Sequence, residues 1–256
     1  MYRGFNLKLD DNFAEAHYDR GKSLFINSKA EVRKTIDSFL DGEGILIAEK
    51  MKADWFPQIK ADIFISHSHS DERLAISLGA WLEITFGIKS FIDSCVWGYA
   101  SDLLKLIDDK YCKNPGEQTY SYEKRNLSTS HVHMMLTTAL SKMIDRSECI
   151  IFLNTPNSIR PNEVVKTETQ SPWIYSEIAI TSLVRRRERD EHRKRTKAAV
   201  ILEYLEKYDL AVKYDLNLSH LTDIDTNSLE TWKYEQGNNG KEYPLDTLYE
   251  LNVEGT

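Results

Sequence analysis

The sequence predicts an α/β protein built on a parallel sheet with helices on both faces. Three observations carry that prediction. From residue 61 onward, short apolar runs alternate with stretches whose apolar residues recur at helical spacing. The runs are continuously apolar, as in Ile63-Phe64-Ile65, which is the pattern of strands buried on both faces. Each run turns abruptly into a polar loop, and open α/β sheets bind ligands at the carboxyl ends of their strands.

The bulk composition fits a soluble globular chain: 256 residues, 41% hydrophobic and 29% charged. That length suits one large domain, or one domain with an extension. A formal net charge of -7 argues against a nucleic-acid partner, whose phosphates are bound by basic surfaces. No apolar run approaches the roughly 18 residues of a membrane span, and no signal peptide is evident, so no membrane partner is expected. Cys95, Cys112 and Cys149 are odd in number and widely spaced, which points to reduced thiols and a cytoplasmic location.

Residues 1–58 read as an appended N-terminal helical extension, with 59–256 as the domain proper. Phe13, Ala16 and Arg20 precede a break at Gly21, and Val32, Ile36, Phe39 and Leu40 recur at helical spacing until Gly42 and Gly44 stop them. Residues 45–48 form a short apolar piece of open type. Trp55-Phe56-Pro57 marks a hinge or, preferably, an aromatic anchor that packs the extension on the domain.

The first strand ends at Ser66 and passes into His67-Ser68-His69-Ser70-Asp71. Ser70 is the expected N-cap of the next helix, whose apolar face is Leu74, Leu78, Trp81, Leu82 and Phe86, with Gly87 as its stop. A second strand is expected over 89–93, then the polar loop Asp93-Ser-Cys-Val-Trp97, then a helix over 101–111. Residues 113–130 read as a long irregular loop, of the kind that is usually functional or disordered. The stripe Val132, Met135, Leu136, Ala139, Leu140, Met143 and Ile144 predicts a helix over 131–146. A third strand covers 149–153. Ser171 and Pro172 then announce a helix by the cap and N1 preferences.

That helix carries Glu177 and is expected to run into the charged block 185–197, a solvated face with i,i+4 pairs. Residues 198–208 read as helix, 210–216 as the fourth strand, 226–232 as a helix, 237–240 as a turn, and 244–251 as a short closing segment.

Four constellations could carry chemistry. His67, His69 and Asp71 partly match the His-x-His-x-Asp-His zinc signature of metallo-β-lactamase-type hydrolases, but Glu72 stands where a further histidine is needed. His17, His131, His133, His192 and His220 supply no second ligand set, so no metal site is assigned. A nucleophilic hydrolase lacks its signature here, since there is no Gly-x-Ser-x-Gly elbow and no local setting for Cys95 or Cys149. Neither glycine-rich phosphate cradle is present. The fourth is Trp173 with Glu177. Four residues apart on a helix differ by about 40°, so indole and carboxylate share a face at the ligand end of the sheet. Taken alone, an exposed glutamate beside a packed tryptophan is the commoner arrangement.

In order, Asp-Ile-Phe-Ile-Ser-His-Ser (62–68), Phe-Ile-Asp-Ser (91–94), Cys-Ile-Ile-Phe-Leu-Asn (149–154) and Ser-Pro-Trp-Ile-Tyr-Ser-Glu (171–177) resemble the Toll/interleukin-1 receptor (TIR) domain. The resemblance covers roughly residues 61–251 and is greatest to the stand-alone bacterial TIR proteins of anti-phage defence, including the Thoeris type. It implies a flavodoxin-like fold and cleavage of the nicotinamide–ribose bond of NAD+, taken as substrate with no separate cofactor. The products would be nicotinamide and linear, cyclic or conjugated ADP-ribose, the last acting as a signal to a downstream effector. The family's catalytic glutamate falls on Glu177. Trp173 would wall the site, Phe64, Ser66, His67 and Ser68 would line it, and Asp93, Ser94 and Trp97 occupy the BB loop that contacts a neighbouring subunit. Activity would then depend on a homo-oligomer. The chain departs from the family in its first 58 residues, its 113–130 segment and its charged stretch after Glu177. Two other readings stand beside this one: a non-catalytic TIR interaction module, and the zinc hydrolase.

Overall fold

A computed structural model describes residues 1–10, 13–25, 36–97, 100–161, 167–169, 171–193 and 214–252. Among these, five strands form one all-parallel sheet: β1 (Arg3–Lys8), β2 (Ile63–Ser66), β3 (Ser90–Phe91), β4 (Cys149–Leu153) and a C-terminal strand, β8 (Thr222–Asp225). Their spatial order is β3-β2-β4-β1-β8. The chain leaves β2 for β3 on one side, then crosses back to β4 on the other. That reversal is the 2-1-3 start of a flavodoxin-like sheet, and it opens a crevice at the carboxyl ends of β2 and β4.

Helices cover both faces because side chains of successive strand residues alternate. Phe5, Leu7, Ile63, Ile65, Ile151 and Leu153 point to one layer, closed by α1 (Phe13–Phe25), α3 (Glu72–Phe86), α9 (Thr226–Asn239) and α10 (Pro244–Leu251). There Phe86 and Trp232 stack with ring centroids 4.0 Å apart. Phe64, Phe91, Ile150 and Phe152 point to the other, closed by α2 (Ala48–Trp55), α5 (Ala100–Tyr111), α6 (Tyr122–Arg146) and α7 (Pro172–Leu183). The α/β expectation with both faces covered therefore holds. No helix among the described residues is long and apolar enough to cross a membrane.

The N-terminal expectation is corrected. Residues 1–58 contain helices, but Arg3–Lys8 is a strand inside the sheet, with Leu7 opposite Leu153 on one side and Ile224 on the other. It takes the fourth place, which a strand following β4 fills in the flavodoxin order. Arg, Gly, Asn and Lys are poor strand formers, so propensity hid it. Tertiary contacts compensate two of them, Arg3 and Asn6. The Arg3 guanidinium donates to Thr222 Oγ1 and to the Tyr249 carbonyl, and the Asn6 amide donates to Asp223 Oδ1. A Cβ on Gly4 would stand 2.4 Å from Leu221 Cδ2, so a larger residue there would have to displace the Leu221 side chain.

Other boundaries shift for local reasons. A 3-10 turn, His69–Asp71, precedes α3, so Asp71 rather than Ser70 occupies its N-cap position. Gly87 ends α3 as expected, with φ 68°. The expected second strand is shortened to Ser90–Phe91, and Asp93–Val96 is a short helix, α4. The second half of the segment 113–130 is helix: α6 begins at Tyr122, where the Ser121 side chain accepts from the Lys124 amide. Its first turns are fastened to α5 by Arg125 Nε and Ser128 Oγ, which reach Asp108 at 2.8 and 2.5 Å. Trp55 and Phe56 are buried, and Phe56 meets Trp97 edge to face, as an aromatic anchor would.

Beyond Glu177, α7 stops at Leu183 with Val184 as its C-cap, and Arg189–Arg193 is a separate short helix, α8. Its arginines pair across elements rather than along one: Arg193 with Glu148 and Asp246, Arg189 with Asp246. The expected helix over 198–208, residues 194–197 and most of the expected fourth strand lie outside the described residues. Of that strand, Tyr214–Asp215 (β7) pairs antiparallel with Thr167–Thr169 (β6), itself paired with Arg160–Pro161 (β5), in a small second sheet. The 237–240 turn is mostly the end of α9, which runs to Asn239.

Candidate active site

The crevice at the carboxyl ends of β2 and β4 holds a buried carboxyl. Ser171 caps α7 by accepting from the Ile174 amide, and Pro172 supplies the preset φ of its first turn. Ile174 and Ile178 bury this helix against the apolar layer, and that registration turns Glu177 toward the end of β2. Glu177 is 5% exposed, and Ser66, the last residue of β2, donates its hydroxyl to Glu177 Oε2 at 2.5 Å. Burial holds the Glu177 carboxyl well above the ordinary glutamate range, and the negative Asp93 adds to this. The Ser66 hydrogen bond opposes both.

His67 follows directly. Its side chain is 3% exposed, with Nδ1 3.3 Å from the Ile65 carbonyl and 3.8 Å from Asp93 Oδ1, and Nε2 3.5 Å from Ser94 Oγ. Asp93 and Ser94 sit at the start of α4, where the Ser94 amide donates to Asp93 Oδ1 at 2.8 Å. The Asp93 side chain is 43% exposed and forms the open side of the group. Ser66, His67, Asp93, Ser94 and Glu177, far apart in the chain, are therefore brought together as expected from the motifs.

Other expected site residues are placed differently. Phe64 is fully buried in the α7-side layer with its ring centroid 5.3 Å from Phe91, so it supports the site from beneath rather than lining it. Trp97 is likewise buried. Its indole N–H donates to the Pro57 carbonyl and its ring packs on Phe56 and Phe91, which makes it a core residue rather than one presented to a neighbouring subunit. Ser68 is half-buried and its carbonyl accepts the Asp71 amide, closing the turn after β2. Trp173 is half-buried and packs on the same apolar layer one turn before Glu177.

Asp71 has a role that the sequence reading missed. It is buried and accepts from Thr155 Oγ1 at 2.5 Å and Asn157 Nδ2 at 2.7 Å, tying the loop after β4 to the loop after β2. The zinc reading draws no support from this geometry. His67 faces Asp93 and Ser94 while Asp71 faces the β4 loop, and among the described residues no group of three or more His, Cys, Asp or Glu could hold a metal ion. His133 is buried and burial pushes its pKa down to about 3, while His220 Nε2 lies 2.7 Å from Thr181 Oγ1.

A cavity of about 670 Å³ lies at the opposite, amino-terminal edge of the sheet, beside Lys60, Asp62, Arg146, Glu148, His192 and Arg193. Its charges answer one another: Arg193 reaches Glu148 at 2.9 Å and Asp246 at 3.0 Å and stacks on Tyr243. The buried carboxyl and the strand-order reversal both belong to the other, carboxyl edge, and groups so perturbed near a ligand-binding edge mark chemistry. Comparison of the chain with protein-family models, with curated proteins and with solved structures finds no match.

Proposed function

We propose that this protein cleaves the nicotinamide–ribose bond of NAD+, with Glu177 as the catalytic carboxyl. The observation that carries the reading is a glutamate 5% exposed, hydrogen-bonded to a strand-end serine, at the reversal point of a parallel sheet. The TIR-like motifs around residues 62–68, 91–94 and 171–177 supply the reaction class.

The chemistry suits this carboxyl. The electron pair of the C1′–N bond leaves with nicotinamide, which departs neutral, so no acid is needed. Positive charge develops on the ribosyl carbon, and a carboxylate fixed in a dry crevice stabilises it far more than water does. Burial, and after it Asp93, favours the protonated form of Glu177. A cationic nicotinamide ring entering beside it favours the charged form, and the proton is released to solvent. Assembly of several copies, a downstream effector responding to the product, and a role in prokaryotic antiviral defence belong to the same proposal.

The test is nicotinamide release from NAD+ by purified protein, dilute and concentrated enough to self-associate, with Glu177→Gln as control. Wild type should release nicotinamide and the variant should lose about 10²–10³-fold in rate. Equal rates, or no release from wild type at either concentration, overturn the proposal, and the latter result leaves the interaction-module reading.

A further inference from the structure

We propose that His67 and Ser94 form a proton-accepting pair that activates the hydroxyl acceptor of the reaction, with Asp93 as the counter-charge. The proposal rests on the NAD+-cleaving reading above and assigns its second half-reaction, the capture of the ribosyl group. Glu177 serves bond cleavage and accepts from Ser66, whereas His67 faces Ser94 and Asp93.

The ring geometry of His67 sets the direction of proton flow. Its Nδ1 lies 3.3 Å from the Ile65 carbonyl, and a carbonyl oxygen can only accept, so Nδ1 carries the hydrogen. Nε2 is then the lone-pair nitrogen, and it faces Ser94 Oγ at 3.5 Å. The hydroxyl of Ser94 donates to Nε2 and keeps its own lone pairs for a second partner. Asp93 Oδ1, 3.8 Å from Nδ1, stabilises the imidazolium that forms when the ring gains a proton. The His67 side chain is 3% exposed while that of Asp93 is 43% exposed and Ser94 is half-buried, so the imidazole is screened from bulk water and an acceptor reaches it from the Ser94 and Asp93 side.

The step balances without a further reagent. The acceptor, water or an alcohol, forms its O–C1′ bond to the ribosyl cation left by nicotinamide. Its O–H proton passes to Ser94 Oγ as the serine proton passes to His67 Nε2, and the imidazolium later returns that proton to solvent. No oxidation state changes. An acceptor with no proton to lose, such as a pyridine ring nitrogen, needs none of this.

That difference is the test. Wild type and His67→Asn are incubated with NAD+ with and without 3-acetylpyridine, and both the O-linked ADP-ribose products and the exchanged dinucleotide are measured. Asparagine keeps an N–H donor near the Nδ1 place, so the Ile65 hydrogen bond can survive while Nε2 is lost. Products formed from O–H acceptors should fall about 10²-fold relative to pyridine exchange, the scale of general-base assistance. Ser94→Ala, which leaves the histidine in place, should shift the ratio in the same direction. Parallel loss of both products in the two variants, or no change in their ratio, overturns this inference and leaves NAD+ cleavage standing. Wild type that forms neither product overturns the NAD+ reading and this step with it.

Discussion

Replacing Glu177 by glutamine should stabilise the fold while removing its proposed chemistry, and the size of the gain follows from linkage. The folded-state pKa of Glu177 is raised above the ordinary value of 4.5, chiefly by burial and then by Asp93. Above pH 4.5 the unfolded chain therefore releases this proton while the folded chain keeps it, so stability falls as pH rises until the folded-state pKa is passed. One proton of difference corresponds to about 1.4 kcal/mol per pH unit across that window. Glutamine has no proton to lose, and its carbonyl can still accept from Ser66, the only hydrogen bond to preserve among those described for this carboxyl. At pH 4 the two proteins should melt together. The Glu177→Gln advantage should then grow by about 3–6 °C in Tm per pH unit, since 1 kcal/mol shifts a chain of this size by roughly 2–4 °C. Thermal melts from pH 4 to 8 measure it directly. A variant that melts at or below wild type throughout, or by a margin that does not change with pH, would show that Glu177 ionises freely in the fold and would refute the reasoning.

Two further outcomes test the architecture. Removing residues 1–9 should abolish native near-UV circular dichroism rather than trim an appendage, because β1 stands between β4 and β8 and its loss opens the sheet; a truncated chain with native dichroism and cooperative melting would contradict the strand order. Asp71→Ala should cost about 3 kcal/mol in urea unfolding, the scale of two hydrogen bonds to a buried charged group, and should speed amide exchange in the loop after β4.

Much of the candidate site was legible in the sequence. The run ending at Ser66, the Phe-Ile-Asp-Ser segment and the Ser-Pro-Trp start of the Glu177 helix are local signals, and they place His67, Asp93, Ser94 and Glu177 at one edge of one sheet. Phe64 and Trp97 were misassigned for a shared reason: an aromatic next to a polar site reads the same whether it lines the pocket or supports it, and only packing against Phe91 and Phe56 distinguishes the two. The role of Asp71 was missed because its partners, Thr155 and Asn157, lie over eighty residues away and carry no motif. The start of α6 was missed because residues 122–130 lack an apolar stripe; cross-helix bonds to Asp108 fix those turns instead.

By itself the sequence determined what short-range physics encodes: which segments are buried on both faces, where Ser171 and Gly87 start and stop helices, and which strand ends carry polar groups. The order of the strands was decided by tertiary structure alone. Arg3–Lys8 has too little apolar character to declare itself, and it becomes a strand only because Cys149–Leu153 and Thr222–Asp225 present ladders on either side and partners for Arg3 and Asn6. Backbone groups buried in a sheet must be hydrogen-bonded, and the segment that can satisfy them from both neighbours takes the place, however far it lies along the chain.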